Sequence, residues 1–184
     1  MKSACFLVLI GLAVAVPVSA QRADQPRMAI GAVAGAGRTW DDESNIGSGF
    51  VAGARIERRL FGQTRVEVSA DILRHDRRGG AFEAEGRTGI VTVAVVQRFG
   101  GMAAQPYLLA GPAIARHSGS TTFVGVQRER SSTDTGLALG AGLAVRVRSR
   151  VEVGPEARAF SMQASDDSNP ALAYWVGLRL AYRF

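Results

Sequence analysis

The chain has 184 residues, 47% of them hydrophobic, and a net charge of +6 from 22 Lys and Arg against 16 Asp and Glu. That length suits one domain, and the single cysteine, Cys5, excludes a disulfide framework or a thiolate metal centre. Lys2 is the only lysine, and the arginines are spread along the chain instead of clustering on one helix, so the basic balance does not read as a nucleic-acid surface.

Residues 1–20 have the pattern of a secretory signal. Lys2 gives the positive start, Phe6 to Val16 is an apolar run, and Val18-Ser19-Ala20 is a small-residue cleavage site, so a mature domain of residues 21–184 is expected after cleavage behind Ala20. The run is shorter than the roughly 20 residues a spanning helix needs, and nothing later is longer without charge. Cys5 lies before the run, out of place for lipoprotein acylation.

Eight segments then carry strand character: 28–36, 49–57, 64–73, 88–99, 105–116, 135–147, 150–160 and 171–184. Most approach the roughly 9 to 11 residues of a tilted membrane-crossing strand. Their connections alternate. Long polar stretches at 38–48, 74–87, 117–134 and 161–170 read as mobile loops, and 58–63, 100–104 and 148–149 are short. A meander with both termini on the periplasmic side sorts its connections this way.

Within the strands, period-two patterning separates two faces. In the second strand Phe50, Ala52, Ala54 and Ile56 oppose Val51, Gly53, Arg55 and Glu57, and in the third Val66, Val68, Ala70 and Ile72 oppose Arg65, Glu67, Ser69 and Asp71. In the last, Phe184, Tyr182, Leu180, Leu178 and Val176 oppose Arg183, Ala181, Arg179 and Gly177. An arginine facing lipid near the midplane costs about 2 to 4 kcal/mol. The apolar faces are therefore expected outside. An eight-stranded interior holds only side chains, so Arg55, Glu57, Arg65, Glu67, Asp71, Arg98, Arg146, Glu152, Glu156, Arg158 and Arg179 are expected to fill the lumen as a paired charge network.

Aromatic residues favour the two membrane interfaces. Phe61, Phe99, Tyr107 and Phe184 are assigned to the periplasmic band, and Phe50, Phe160 and Tyr174 to the outer one. Pro112 and Pro155 interrupt strands that have no free edge. Each is expected to mark a bulge or an early strand end.

The signal segment, Pro106-Tyr107-Leu108-Leu109-Ala110-Gly111, the glycine-rich Leu137 to Val147 strand and the terminal Leu180-Ala181-Tyr182-Arg183-Phe184 together resemble the outer-membrane β-barrel domain family, which includes the OmpA membrane domain and OmpX. The resemblance implies that Leu180, Tyr182 and Phe184 are a recognition signal for the barrel assembly machinery. It also implies an outer-membrane location among lipid and lipopolysaccharide. No peptidoglycan-binding segment follows the barrel in this sequence, so no cell-wall tether is carried over.

Other chemistry is weakly represented. His117 with Ser118 and Ser120 is a candidate nucleophilic site of a lipid-modifying enzyme, which would need the base within reach of the hydroxyl and a third orienting group, but neighbouring strand residues point to opposite faces. His75 and His117 without close spacing make no recognised metal site, and Asp41, Asp42 and Glu43 or Asp166 and Asp167 lack a calcium-loop pattern. No cofactor and no metal are expected. The expectation is an all-β, eight-stranded antiparallel up-and-down transmembrane barrel, monomeric and non-enzymatic. Its role would be structural, supporting envelope integrity, or one of surface interaction, with Arg74, Arg77 and Arg78 offered to an external ligand or the anionic leaflet. The alternatives are a narrow channel, a lipid-modifying enzyme, or a soluble lipocalin-like barrel with its apolar face inside.

Overall fold

The computed structural model describes residues 27–41, 44–79, 82–100, 103–123, 126–163 and 171–184. The segment before position 27, with the cleavage expected after Ala20, lies outside the described residues. Eight antiparallel strands, β1 (Met28–Asp41), β2 (Ser44–Phe61), β3 (Thr64–Gly79), β4 (Phe82–Arg98), β5 (Ala104–Phe123), β6 (Val126–Arg146), β7 (Val151–Gln163) and β8 (Ala171–Arg183), pair in sequence order and close into a barrel. Closure is made by β1 against β8, with Ile30 opposite Tyr182 and Ala34 opposite Leu178. Reciprocal backbone bonds of 2.9 and 3.0 Å between Phe184 and Met28 finish the seam. No ladder edge is left for another chain to pair with.

One end of the barrel carries the short connections between β2 and β3, β4 and β5, and β6 and β7. At this turn end Gly62 and Gly100 have positive φ angles of 51° and 78°, a backbone region that glycine enters without a Cβ clash. The opposite, hairpin end differs from the loops expected there. β3 and β4 stay in register to Gly79–Phe82, and β5 and β6 to Phe123–Val126, so most of the polar segments 74–87 and 117–134 are paired strand. Ser118 and Thr133 on the outward face and Ser132 on the inward one suit a ladder that continues into water, because they satisfy the pleat without needing an apolar neighbour.

The two proline expectations are corrected. Pro112 and Pro155 sit on the outward face of continuous strands. Register is unchanged across both: β4–β5 pairs Thr92 with Ala113 and Val95 with Ala110, and β6–β7 pairs Gly142 with Glu156 and Val145 with Val153. Two rungs are missing at each site, with no extra residue inserted. Each proline follows an inward glycine, Gly111 or Gly154, whose missing side chain lets the neighbouring strand's carbonyl, that of Val93 or Leu143, come close. The strands pass both prolines in unchanged register, with the two rungs lost and no bulge.

The outward face is apolar along the middle of every strand. Ile56, Val68, Val91, Leu108, Leu139, Val176, Leu178 and Leu180 are all exposed. Inside, the strands change character along their length: in β3 Arg65, Glu67, Ser69 and Asp71 precede Leu73, and in β7 Glu152, Glu156 and Arg158 precede Phe160 and Met162, all buried. The lumen is therefore ionic toward the turn end and apolar toward the hairpin end, where Val33, Val51, Leu73, Ile90, Phe160, Met162 and Trp175 pack together.

Candidate functional site: the lumen charge network

Two clusters make up the ionic half. In the first, the Arg158 guanidinium donates to Glu67 at 2.5 Å, to Glu156 at 2.6 Å and to the Ser69 hydroxyl at 2.8 Å. Arg55 also donates to Glu156 and lies 3.6 Å from Asp71. Tyr107 donates its hydroxyl to the other oxygen of Glu156 at 2.5 Å. Both guanidiniums stand over the Trp175 ring, 5.7 Å from its centroid for Arg55 and 5.5 Å for Arg158.

The second cluster lies nearer the turn end. Arg98 bridges Glu152 at 2.8 Å and Glu57 at 3.0 Å. Arg183 donates to Glu152 at 2.7 Å, Arg179 donates to Glu57, and Arg65 stands 3.7 Å from Glu57. Arg98 and Arg179 stand over the Tyr107 ring at 5.9 and 5.3 Å, and Tyr107 links the two clusters through its bond to Glu156. Six buried guanidiniums thus meet five buried carboxylates. Unpaired charge in such a place would cost several kcal/mol per ion.

Of the eleven residues assigned to the lumen by sequence, ten lie in this network. Arg146 does not join it. It faces the lumen mouth opposite Glu152 in the β6–β7 register but is exposed, because β6 ends there. Arg183, set on the polar face by its spacing but left out of the network, takes the place beside Glu152.

Tyr107 and Phe160, read as interfacial aromatics, are both buried in the lumen. Their parity with Leu109 and Arg158 carried that information, but interface preference was weighed above it. Trp175, two residues from Gly177 on the inward face, is a buried lumen residue that a reading built on charged side chains does not include. Phe61, Phe99, Tyr182 and Phe184 are exposed toward the turn end, and Phe50 is exposed toward the hairpin end.

His117 lies on β5 and faces inward, not in a solvated loop. Its Nδ1 is 2.9 Å from the Thr88 hydroxyl and its Nε2 is 3.1 Å from Asp134. Ser118 points outward, with its hydroxyl 3.4 Å from the Arg87 carbonyl, so it is not the partner considered for nucleophilic chemistry. The hydroxyl that does meet His117 belongs to Thr88, which is fully buried. The arrangement ties β4, β5 and β6 together. Asp42, Glu43, Asp166 and Asp167 lie outside the described residues; among the described residues no group of three or more His, Cys, Asp or Glu is placed to hold a metal ion.

Comparison with known proteins agrees with this geometry. Neisserial surface protein A superposes with a TM-score of 0.68 at 14% identity, covering 85% of this chain and 97% of that one. Ail, the attachment invasion locus protein of Yersinia pestis, gives 0.58 at 17% identity, with 86% and 99% covered. The outer membrane protein OprG of Pseudomonas aeruginosa gives 0.54 at 13% identity, with 87% and 98% covered. At such identities the likeness is one of fold. No curated protein matches the sequence. Residues 6–184 match the outer membrane protein β-barrel domain, and the chain belongs to that family of outer-membrane barrels.

Proposed function

We propose that this outer-membrane barrel is a closed, non-enzymatic platform, with termini and short turns on the periplasmic side, that stabilises the envelope and carries the β3–β4 and β5–β6 hairpins into the external medium. One observation supports this above the others: the lumen is occupied along its length, by paired charges toward the turn end and by the Leu73, Ile90 and Phe160 cluster toward the hairpin end. Ions crossing it would have to break buried pairs and then pass hydrocarbon. The hairpins are ordered ladders, and they extend well beyond the roughly 9 to 11 residues a crossing strand requires.

Planar-bilayer recording on the refolded protein, with heat-shift electrophoresis as the control for folding, tests the reading. A heat-shifted barrel with no unitary conductance is the expected result, and steady conductance would replace the platform by a channel. Joining His75 to Gly86, which removes the outer part of the β3–β4 hairpin, should leave the barrel folded while weakening surface binding or raising envelope leakiness. Loss of acyl-chain hydrolysis or transfer on His117→Ala would favour an enzyme instead. Export is proposed to end with cleavage after Ala20, so the mature protein should begin at Gln21.

A further inference from the structure

On the outward face, just above the apolar band at the hairpin end, three exposed arginines come together on adjacent strands. Arg74 on β3 is directly opposite Arg87 on β4. Arg116 on β5 is opposite Gly89, one step diagonally from Arg87. Directly opposed Cβ atoms are about 4.5 to 5.5 Å apart and diagonal ones about 7 to 8 Å, and like charges in the opposed position are unfavourable unless something compensates them. Glu85, a carboxylate on the same strand face, lies one row farther from the band, and among the described residues it makes no ion pair with these arginines. Gly89 sits between Ile72 and Arg116, and a Cβ added there would meet nothing within 4 Å, so the surface beside the three arginines is open.

Depth identifies the occupant. Phe50 is opposite Arg74 on β2 and is exposed, which marks the interface level. Immediately below, Ile72, Val91 and Ile114 begin the apolar surface. An anion held here therefore has its neighbours in hydrocarbon. From Arg74 the surface also leads down through Ile72 to a shallow depression over Ala32, Ala54 and Ala70, flanked by Leu180, which would take an acyl chain.

We propose that Arg74, Arg87 and Arg116 form a site for the phosphate of a phosphorylated outer-leaflet lipid, with its acyl chain lying over Ile72 and Ala70. The proposal deepens the platform reading and rests on it for the orientation of the hairpin end. Arginine suits this role because its planar fork gives charge-assisted, bidentate bonds to phosphate oxygens.

The test titrates detergent-folded protein with bis-phosphorylated lipid A, dephosphorylated lipid A, inorganic phosphate and dextran sulfate, reading bound species by native mass spectrometry. Bis-phosphorylated lipid A should bind best. The combined variant Arg74→Gln, Arg87→Gln and Arg116→Gln should weaken it by about tenfold or more, the effect of losing one to two charge-assisted hydrogen bonds. Arg58→Gln, at the opposite rim, should leave it unchanged. Equal binding of the dephosphorylated lipid, or an unaltered titration of the combined variant in a heat-shifted barrel, would overturn the site alone. Preference for inorganic phosphate or dextran sulfate would also overturn it, in favour of a soluble anion or glycan. Failure of the wild-type protein to show the heat shift would sink the platform reading and the site with it.

Discussion

The Tyr107 hydroxyl, on β5, donates to Glu156, on β7, across 49 residues of sequence and over Gly142 of the intervening strand β6. The same carboxylate accepts from Arg55 and Arg158, so its two oxygens serve three donors from β2, β5 and β7. Glu156→Gln removes the shared negative charge and leaves two buried guanidiniums to Glu67 and Asp71. Breaking a buried pair from one side costs about 3 to 5 kcal/mol. Tyr107→Phe removes one hydrogen bond to a charged group, about 1.5 to 3 kcal/mol. Urea unfolding of the refolded barrel should therefore rank wild type above Tyr107→Phe, and Tyr107→Phe above Glu156→Gln. An unchanged midpoint for Glu156→Gln would remove the network from the list of stabilising features.

Gly142 lies opposite Tyr107 in the β5–β6 register, and an ideal Cβ built there would overlap the phenol ring and hydroxyl. Gly142→Ala should push the ring off both Glu156 and the two arginines that stand over it. The expected loss is larger than for Tyr107→Phe, because packing and the hydrogen bond are disturbed together, and overpacking by itself costs about 1 to 3 kcal/mol. The double variant Gly142→Ala with Tyr107→Phe should show marked non-additivity, since the two changes act on one contact. Additive unfolding midpoints would show that the methyl group is accommodated elsewhere.

Much of this arrangement was legible in the sequence because a strand has only two faces and a membrane prices them very differently. Arg55, Glu57, Arg65 and Glu67 could go nowhere but inward, and the order of the eight strands followed from the meander. The extent of the outer strands was not legible: Arg77-Arg78-Gly79-Gly80 reads as a loop, and only the continued pairing of β3 with β4 shows that positions to Gly79 are strand. The partners within the lumen were also hidden. Period two says that Arg183 faces inward, but its choice of Glu152 depends on the stagger between strands, which a single strand does not encode. Trp175 illustrates the same limit from the apolar side. A ring among arginines looks misplaced until Arg55 and Arg158 are seen above its face.

The assignment of faces gives a sharp outcome for β8. Leu180 and Tyr182 are outward and exposed, whereas Arg179 and Arg183 are buried. Single cysteines at 180 and 182 should react slowly with a charged maleimide in vesicles and strongly quench with a lipid-phase probe. Leu178→Arg places a guanidinium on the same outward face and should destabilise by about 2 to 4 kcal/mol if it lies at the midplane. Water-accessible labelling at 180 with a tolerated Leu178→Arg would mean that the faces are inverted.

Closure and recognition converge on the last residues. Tyr182 and Phe184 stack outward with ring centroids 6.4 Å apart, and the Phe184 backbone completes the seam with Met28. Before β1 and β8 meet, that strand is an unpaired edge with an aromatic outer face, which is what a barrel-assembling partner would have available to bind. The side chain and the backbone can be separated by experiment. Phe184→Ala keeps the bonds to Met28 and removes the ring, whereas deletion of residue 184 removes both. If Leu180, Tyr182 and Phe184 are an assembly signal, Phe184→Ala should lower outer-membrane insertion in cells by severalfold while the purified protein still refolds in detergent with its heat shift intact. Equal losses in cells and in detergent would assign Phe184 to seam stability and leave the assembly role without support.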